Sequence, residues 1–253
     1  MKKSILMIVM LVFSAFAMVS CEKDDDFGSH HSGGSIGNVP DGAVPGLFTV
    51  NSNGKQVFFS NGNLRYRNYN FEFEANQWTM RPSHNVSDCG HFFWASSASK
   101  ATASSYNSSW NGETSFFADN GGAIPGWRVL TRDEWRYLLN VREVNGGTGY
   151  GYTCVSDTIN GVFGLIIFRD GYRKNTTGLT SIPEGCVFLP AAGCRSDGII
   201  EDADFYGGYW SSTTYGSYSA YDCFFSRGGL YVSENDDYEM RYWGLSVRLV
   251  IDR

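Results

Sequence analysis

The chain is short of charge and has no excess of base. Charged residues are 18% of its 253, and the balance is a net −6. A nucleic-acid-binding domain needs a basic face, so no nucleic-acid partner is expected. Arg128, Arg132 and Arg136 do cluster, but they fall around one predicted helix and read as its solvated side. Histidine is scarce: His30, His31, His84 and His91 are all there is. His30-His31 stand in a Gly/Ser-rich stretch, and the spacing of His84 and His91 has no recognised zinc geometry behind it. Both later histidines are expected in loops near a sheet edge. Gly146 to Gly151 lacks the lysine and the strand-to-helix setting of a phosphate cradle, and is expected to be a loop. No apolar run is long enough to span a bilayer. No fixed-period repeat is present. No nucleophile stands beside a base in any known pattern, so no catalytic residue, cofactor or metal is expected.

The N-terminus carries the first positive signal. Lys2 and Lys3 precede an apolar run from Ile5 to Phe13, the layout of a secretory signal covering 1–20. Met18-Val19-Ser20-Cys21 resembles a bacterial lipobox, which implies diacylation of Cys21. Several acyl chains on one residue anchor stably where one does not. Glu22-Lys23-Asp24-Asp25-Asp26 resembles the acidic export signal of Bacteroidota lipoproteins, implying display on the outer face of the outer membrane. Residues 21–45 are otherwise rich in Gly, Ser and polar residues, a composition that buries too little apolar surface to order itself. They read as a tether.

Residues 46–253 suffice for one domain with a sizeable core. Aromatic residues are 16% of the chain and glycines number 30, which favours short strands and many turns. Asn53-Gly54 lies between Leu47-Phe48-Thr49-Val50 and Gln56-Val57-Phe58-Phe59 and predicts a hairpin. Phe71-Glu72-Phe73-Glu74 alternates as a half-buried strand. Thr131-Arg132-Asp133-Glu134 is a capping box, and Trp135, Leu138 and Leu139 follow at helical spacing. Phe163 to Phe168 and Val187 to Pro190 are expected as buried strands. Tyr221 to Ser226 and Leu230 to Ser233 are expected to form a hairpin about Arg227-Gly228-Gly229. The last strand alternates Leu245, Val247, Leu249 and Ile251 inward, which puts Arg248 outward.

The stretch after Trp210 is the most distinctive in the chain. Tyrosines alternate there with serine and glycine. Tyrosine gives stiff, amphipathic contact area at low entropy cost, while Ser and Gly adapt their hydrogen bonding. That chemistry suits recognition. The candidate contacts are Tyr215, Tyr218, Tyr221, Asp222, Phe225, Asp236, Asp237, Tyr238 and Tyr242. Residues alternate faces along a strand, so about half of them are expected to point inward.

Gly126-Trp127-Arg128-Val129-Leu130-Thr131-Arg132-Asp133-Glu134-Trp135 resembles a segment of the formylglycine-generating (sulfatase-modifying) group. Its sister among surface lipoproteins is the Fibrobacter-type major paralogous domain. Leu189-Pro190-Ala191-Ala192-Gly193-x-Arg195, Tyr209-Trp210-Ser211-Ser212-Thr213 and Gly244-Leu245-Ser246-Val247-Arg248 match the group in order. The resemblance implies an α+β, C-type-lectin-like fold with twisted antiparallel sheets and few helices. A narrower resemblance is to the variable proteins of diversity-generating retroelements. In those, adenine-directed mutagenesis never yields Lys, Gln, Glu, Met or Trp. Every residue from Thr214 to Ser233 belongs to the permitted set, whereas Glu234, Glu239, Met240 and Trp243 must be fixed. An unvaried lectin-fold surface has a similar composition, so both readings stand.

The sulfatase-modifying enzymes need paired reactive cysteines that bind copper. Cys223 lacks the neighbouring partner. Besides Cys21, the chain holds Cys89, Cys154, Cys186, Cys194 and Cys223, an odd number for an exported domain. With Cys223 set aside, the other four make two disulfides in any of three connectivities, Cys186 with Cys194 being one pairing to test. The Glu-Pro-Asn type of calcium loop is absent; Glu234-Asn235-Asp236-Asp237 is expected to be a solvated turn. Asp157-Thr158-Ile159 resembles the acceptor for O-glycosylation of exported Bacteroidota proteins, with Thr158 as the modified residue. The expected function is recognition of an external ligand, protein or glycan, by a membrane-anchored surface protein. The competing class is a structural or assembly component of the cell surface, and behind it a vestigial sulfatase-modifying-type enzyme.

Overall fold

The computed structural model describes residues 38–80, 84–85, 87–119, 122–227 and 238–253. The chain divides into two units, Met1–Ser35 and Ile36–Arg253, and the described residues belong to the second. The signal segment, Cys21, the acidic run and His30-His31 lie outside them. Strand residues (37%) far outnumber helical ones (9%), so the domain is built mainly of antiparallel sheets with few helices.

Packed structure starts ahead of Gly46. Ala43 bridges Ser60 and Val44 is buried in the core. β1 (Phe48–Thr49) and β2 (Gln56–Phe59) then form the expected hairpin. Of the turn pair only Gly54 takes a positive φ (79°). Asn51 closes the loop instead, its Oδ1 accepting from the amides of Asn53 and Lys55 at 3.0 Å each. β15 (Val250–Asp252) pairs with the other edge of β2, so the end of the domain closes against its beginning. β3 (Leu64–Arg67) and β4 (Asn70–Phe73) form a second hairpin, extended by β6 (Asp88–Cys89) and β5 (His84–Asn85).

A third sheet contains β7 (Cys154–Ile159), β8 (Val162–Ile167) and β9 (Val187–Pro190) in that order. Its middle strand explains the unbroken apolar run. Leu165 and Ile167 point into one hydrophobic cluster, Ile166 and Phe168 into another. A strand covered on both faces has no polar side to show. β10 (Cys194–Ser196) and β11 (Ile199–Glu201) pair by themselves. β12 (Tyr206–Tyr215), β13 (Ser219–Ser226) and β14 (Tyr238–Met240) make the last sheet. The predicted partner strand Leu230 to Ser233 lies outside the described residues.

After α1 (Ala98–Ala101), the helical segment α2 (Arg132–Arg136) begins at the capping box as predicted. The Thr131 hydroxyl accepts from the Glu134 amide at 3.2 Å, and the Glu134 carboxylate from the Thr131 amide at 2.9 Å. The helix then widens into a π turn over Tyr137–Val141. Trp135, Leu138 and Leu139 are all buried. The arginines nearby are not a solvated side. Arg128 is buried, clamped bidentately by Glu134 at 2.7 and 2.8 Å and held by Asp252 at 2.7 Å. Only Arg136 of the three is exposed.

Arg248 also corrects the sequence reading. It is buried, donating to Asn63 Oδ1 at 3.2 Å and Gln77 Oε1 at 2.7 Å. Asn63 in turn donates to the Tyr209 hydroxyl, which donates to the Pro190 carbonyl. The segment Leu245 to Val250 is buried throughout, so alternation there does not separate core from solvent. His91 is likewise no edge residue. It is buried, with Nε2 2.9 Å from the Ala192 carbonyl oxygen. The expected disulfides do not form: Cys89, Cys154, Cys186, Cys194 and Cys223 are all unbridged and buried. Cys186 and Cys194 pack in different clusters.

Candidate functional site

The tyrosine-rich segment folds into β12, β13 and the start of β14. Register decides which side chains share a face. Tyr215 pairs with Ser219, Ser219 with Met240, and Tyr221 with Tyr238. Residues paired or two apart lie on one side of a pleated sheet. Tyr215, Tyr221, Tyr238 and Met240 therefore share a face, and Cys223 and Phe225 continue it along β13. At the Phe225 end this face is core: Phe225 lies 6.2 Å from Tyr209 and 6.4 Å from Phe163, centroid to centroid. At the Tyr221 end the cover stops, and the tyrosines meet solvent.

The open end is an ordered aromatic cluster. Tyr215 and Tyr238 stack at 3.7 Å with an interplanar angle of 21°, and Tyr221 meets Tyr215 edge-on at 5.3 Å. The Arg132 guanidinium sits 4.8 Å from the Tyr221 ring centroid, a cation–π contact linking the start of α2 to the sheet. Hydrogen bonding from the neighbouring Tyr215 pushes the Tyr238 hydroxyl pKa up. Opposite Tyr221, β12 carries extra residues: the register slips between Trp210 and Thr214. Such a bulge increases local twist and re-aims the strand end, here the end bearing Tyr215.

The turn from β12 to β13 is held from below. Arg241 is fully buried, its guanidinium carbon 4.3 Å from the Trp94 ring centroid. Its Nε donates to the Ser219 carbonyl at 3.1 Å, its Nη2 to the Gly216 carbonyl at 3.2 Å, and its amide to the Tyr218 carbonyl at 2.9 Å. No carboxylate among the described residues makes an ion pair with it, and burial pulls its pKa down. Its work is mechanical: it fixes the backbone that projects Tyr218, which is 60% exposed. Gly216 at φ 62° makes the turn possible. Beside it, exposed Tyr242 contacts Tyr106 at 5.9 Å and Trp243 at 6.2 Å.

The nine predicted contacts therefore separate. Tyr215, Tyr218, Tyr238 and Tyr242 are exposed, and Tyr221 is half-buried among them. Phe225 is core and not a surface contact. Asp222 pairs with Trp210, so it sits on the other face of β13 from Tyr221. Asp236 and Asp237 lie outside the described residues. Met240, exposed on the same face as Tyr238, is not among the expected contacts, although its two-residue spacing from Tyr238 signals it. Arg132, Tyr106 and Arg241 carry no sequence signal that ties them to this surface.

Chemically the surface presents flat rings, hydroxyls and a thioether, with no nucleophile paired with a base among the described residues. The buried thiols do not supply one. Burial pushes the pKa of Cys89 and Cys154 up to about 11 and that of Cys194 to about 12, which suppresses the thiolate. Among the described residues no group of three or more His, Cys, Asp or Glu is placed to hold a metal ion. Thr158 is exposed on β7, its amide bonded to Asp157 Oδ1 at 2.8 Å. No family model matches the chain, and comparison with characterised proteins and with solved structures likewise returns no match.

Proposed function

We propose that the protein is a surface-displayed binding protein of C-type-lectin-like fold that recognises an external ligand through the tyrosine face of β12–β14. The lipid anchor on Cys21 and the acidic tether hold it on the outer membrane. One observation carries the reading: Tyr215, Tyr238 and Met240 are exposed on one face of the sheet end, and Tyr218 and Tyr242 are exposed at the turn and strand end that Arg241 braces. Monomeric domains seldom leave large aromatic groups uncovered in one place without a partner to meet them. Aromatic anchors on a rigid frame contribute most of the energy in many interfaces, because little entropy is lost when they bind. The ligand is a protein or a glycan.

Diversification of this segment by a retroelement fits the same geometry and makes a sharp prediction. Sequencing the gene and its surroundings from many isolates is expected to show substitutions at Tyr215, Tyr218, Tyr221, Tyr238 and Tyr242. Buried Ala220, Cys223, Phe225 and Arg241 are expected to stay constant. A near-copy of the codons, differing only at adenines, is expected beside a reverse-transcriptase gene. A segment identical in all isolates, with no such copy, sinks diversification and favours a fixed component of a surface assembly.

A further inference from the structure

A concave site lies against the β7–β8 sheet, on a different sheet from the tyrosine face of β12–β14. The loop that ends at Gly151, strand β7 and the loop around Thr177 enclose a cleft of about 530 Å³. We propose that this cleft binds a neutral, hydroxyl-rich sugar ring.

The first element is a platform. Tyr152 is 47% exposed, and its ring lies so close to Gly147 that a Cβ there would come within 2.5 Å of it. Glycine on one side fixes the ring and leaves the rest of it to the cleft. A pyranose presents a face of C–H groups, and a flat aromatic ring is its apolar complement.

Hydrogen-bonding groups stand around that platform with capacity to spare. The Tyr150 hydroxyl oxygen accepts from the Ser156 amide at 2.9 Å, which leaves its O–H to donate. Asp157 is locked by two amides: Oδ1 accepts from Thr158 at 2.8 Å and Oδ2 from Leu179 at 2.9 Å. Each oxygen keeps a second lone pair. Asn145 spends its Nδ2 on the Lys174 carbonyl at 3.2 Å, so its Oδ1 remains an acceptor. Donors and acceptors fixed in advance around an aromatic plate match a polyol.

The same groups reject other ligands. Among the described residues no Lys, Arg or His lines the cleft, so a phosphate, uronate or sialate gains no cation from the cleft wall and meets the Asp157 carboxylate. A wholly apolar ligand strips water from Asp157 and returns nothing, which is costly for a charged group. The volume lies within the range of small-molecule sites and suits one or two sugar rings.

Saturation-transfer NMR on the full chain tests the site, with methyl mannoside, methyl glucoside and methyl galactoside as probes and sialyllactose as the anionic control. At least one neutral glycoside is expected to receive saturation at its ring C–H protons. Its affinity is expected to fall about tenfold or more in Tyr152→Ala and Asp157→Asn and to hold in Tyr218→Ala, a loss of about 1.4 kcal/mol. Thr177→Trp, which blocks the cleft from an exposed position, is expected to abolish transfer without touching the core. The proposal is overturned if no neutral glycoside binds, if sialyllactose binds better, or if transfer survives both Tyr152→Ala and Thr177→Trp.

Discussion

Glu134 serves three partners at once. Its carboxylate caps the Thr131 amide, grips the Arg128 guanidinium with both oxygens, and meets Lys55 Nζ at 3.2 Å. Burial alone raises its pKa, but Arg128 and the Thr131 amide outweigh burial and hold the carboxyl below the usual range. The two halves of the box are therefore unequal. Thr131→Ala removes one amide acceptor and is expected to cost about 1 kcal/mol, as N-cap losses do. Glu134→Ala leaves Arg128 buried with Asp252 as its remaining acid, and is expected to cost about 2–4 kcal/mol, near the range for breaking a buried pair. Urea unfolding of the two variants checks the order. Equal losses would mean that Asp252 alone satisfies Arg128.

At the scale of elements, the three-stranded sheet of β12–β14 depends on Arg241. Replacing it with Ala leaves the carbonyl of buried Ser219 without this donor, while that of exposed Gly216 can turn to water. Arg241→Ala is expected to cost about 1–3 kcal/mol, the penalty for one unsatisfied buried acceptor. Hydrogen exchange is expected to quicken first in the 216–219 turn. Uniform loss of protection across the domain would place Arg241 in the general core instead. Nothing in the sequence separates this arginine from an exposed one. What is legible in sequence is local: the capping box at Thr131, the hairpin about Gly54, the apolar runs of β8 and β9. Each of these is decided by neighbours in the chain. Alternation fails where both faces of a strand are covered, and that depends on elements far away. Tyr209 and Trp210 point into different clusters, so neither parity of β12 is the outside. The same cause turns Phe225 and Arg248 inward. The tyrosine surface was legible as composition, but its extent was not. The covered end of β13, Cys223 and Phe225, packs in one cluster with Trp135, Leu138 and Leu139, while Tyr221 at the open end meets Arg132 from the start of α2.

For the molecule as a whole, the core carries basic groups that burial keeps from gaining charge easily. Arg195, Arg241 and Arg248 are fully buried, and burial pulls the pKa of each down, that of Arg248 to about 10. With its pKa near 10, Arg248 stays charged at neutral pH. His91 is different, because its titration falls within reach. It joins the segment before Phe92 to the Ala192 carbonyl, and Gly244 packs against its Cβ. Burial lowers its pKa to about 4; the Ala192 carbonyl opposes this, and the nearby Arg195 charge adds to it. The folded value lies below the ordinary 6.5, so the unfolded chain takes up the proton first as pH falls. Stability is then intact above about pH 6.5 and is lost progressively down to about pH 4, by roughly 3 kcal/mol in all. Glu113 and Glu134 also have lowered values, since Lys100 and Arg128 respectively prevail over burial, but their losses begin only below about pH 4.5. The interval from 6.5 to 4.5 thus isolates His91 among these groups. His91→Gln keeps an N–H for the Ala192 carbonyl and removes the titration. Its unfolding free energy is expected to stay nearly level across that interval while the parent protein's declines. Parallel slopes in the two proteins, measured by urea unfolding at half-unit pH steps, would show that His91 does not carry the acid sensitivity of the fold.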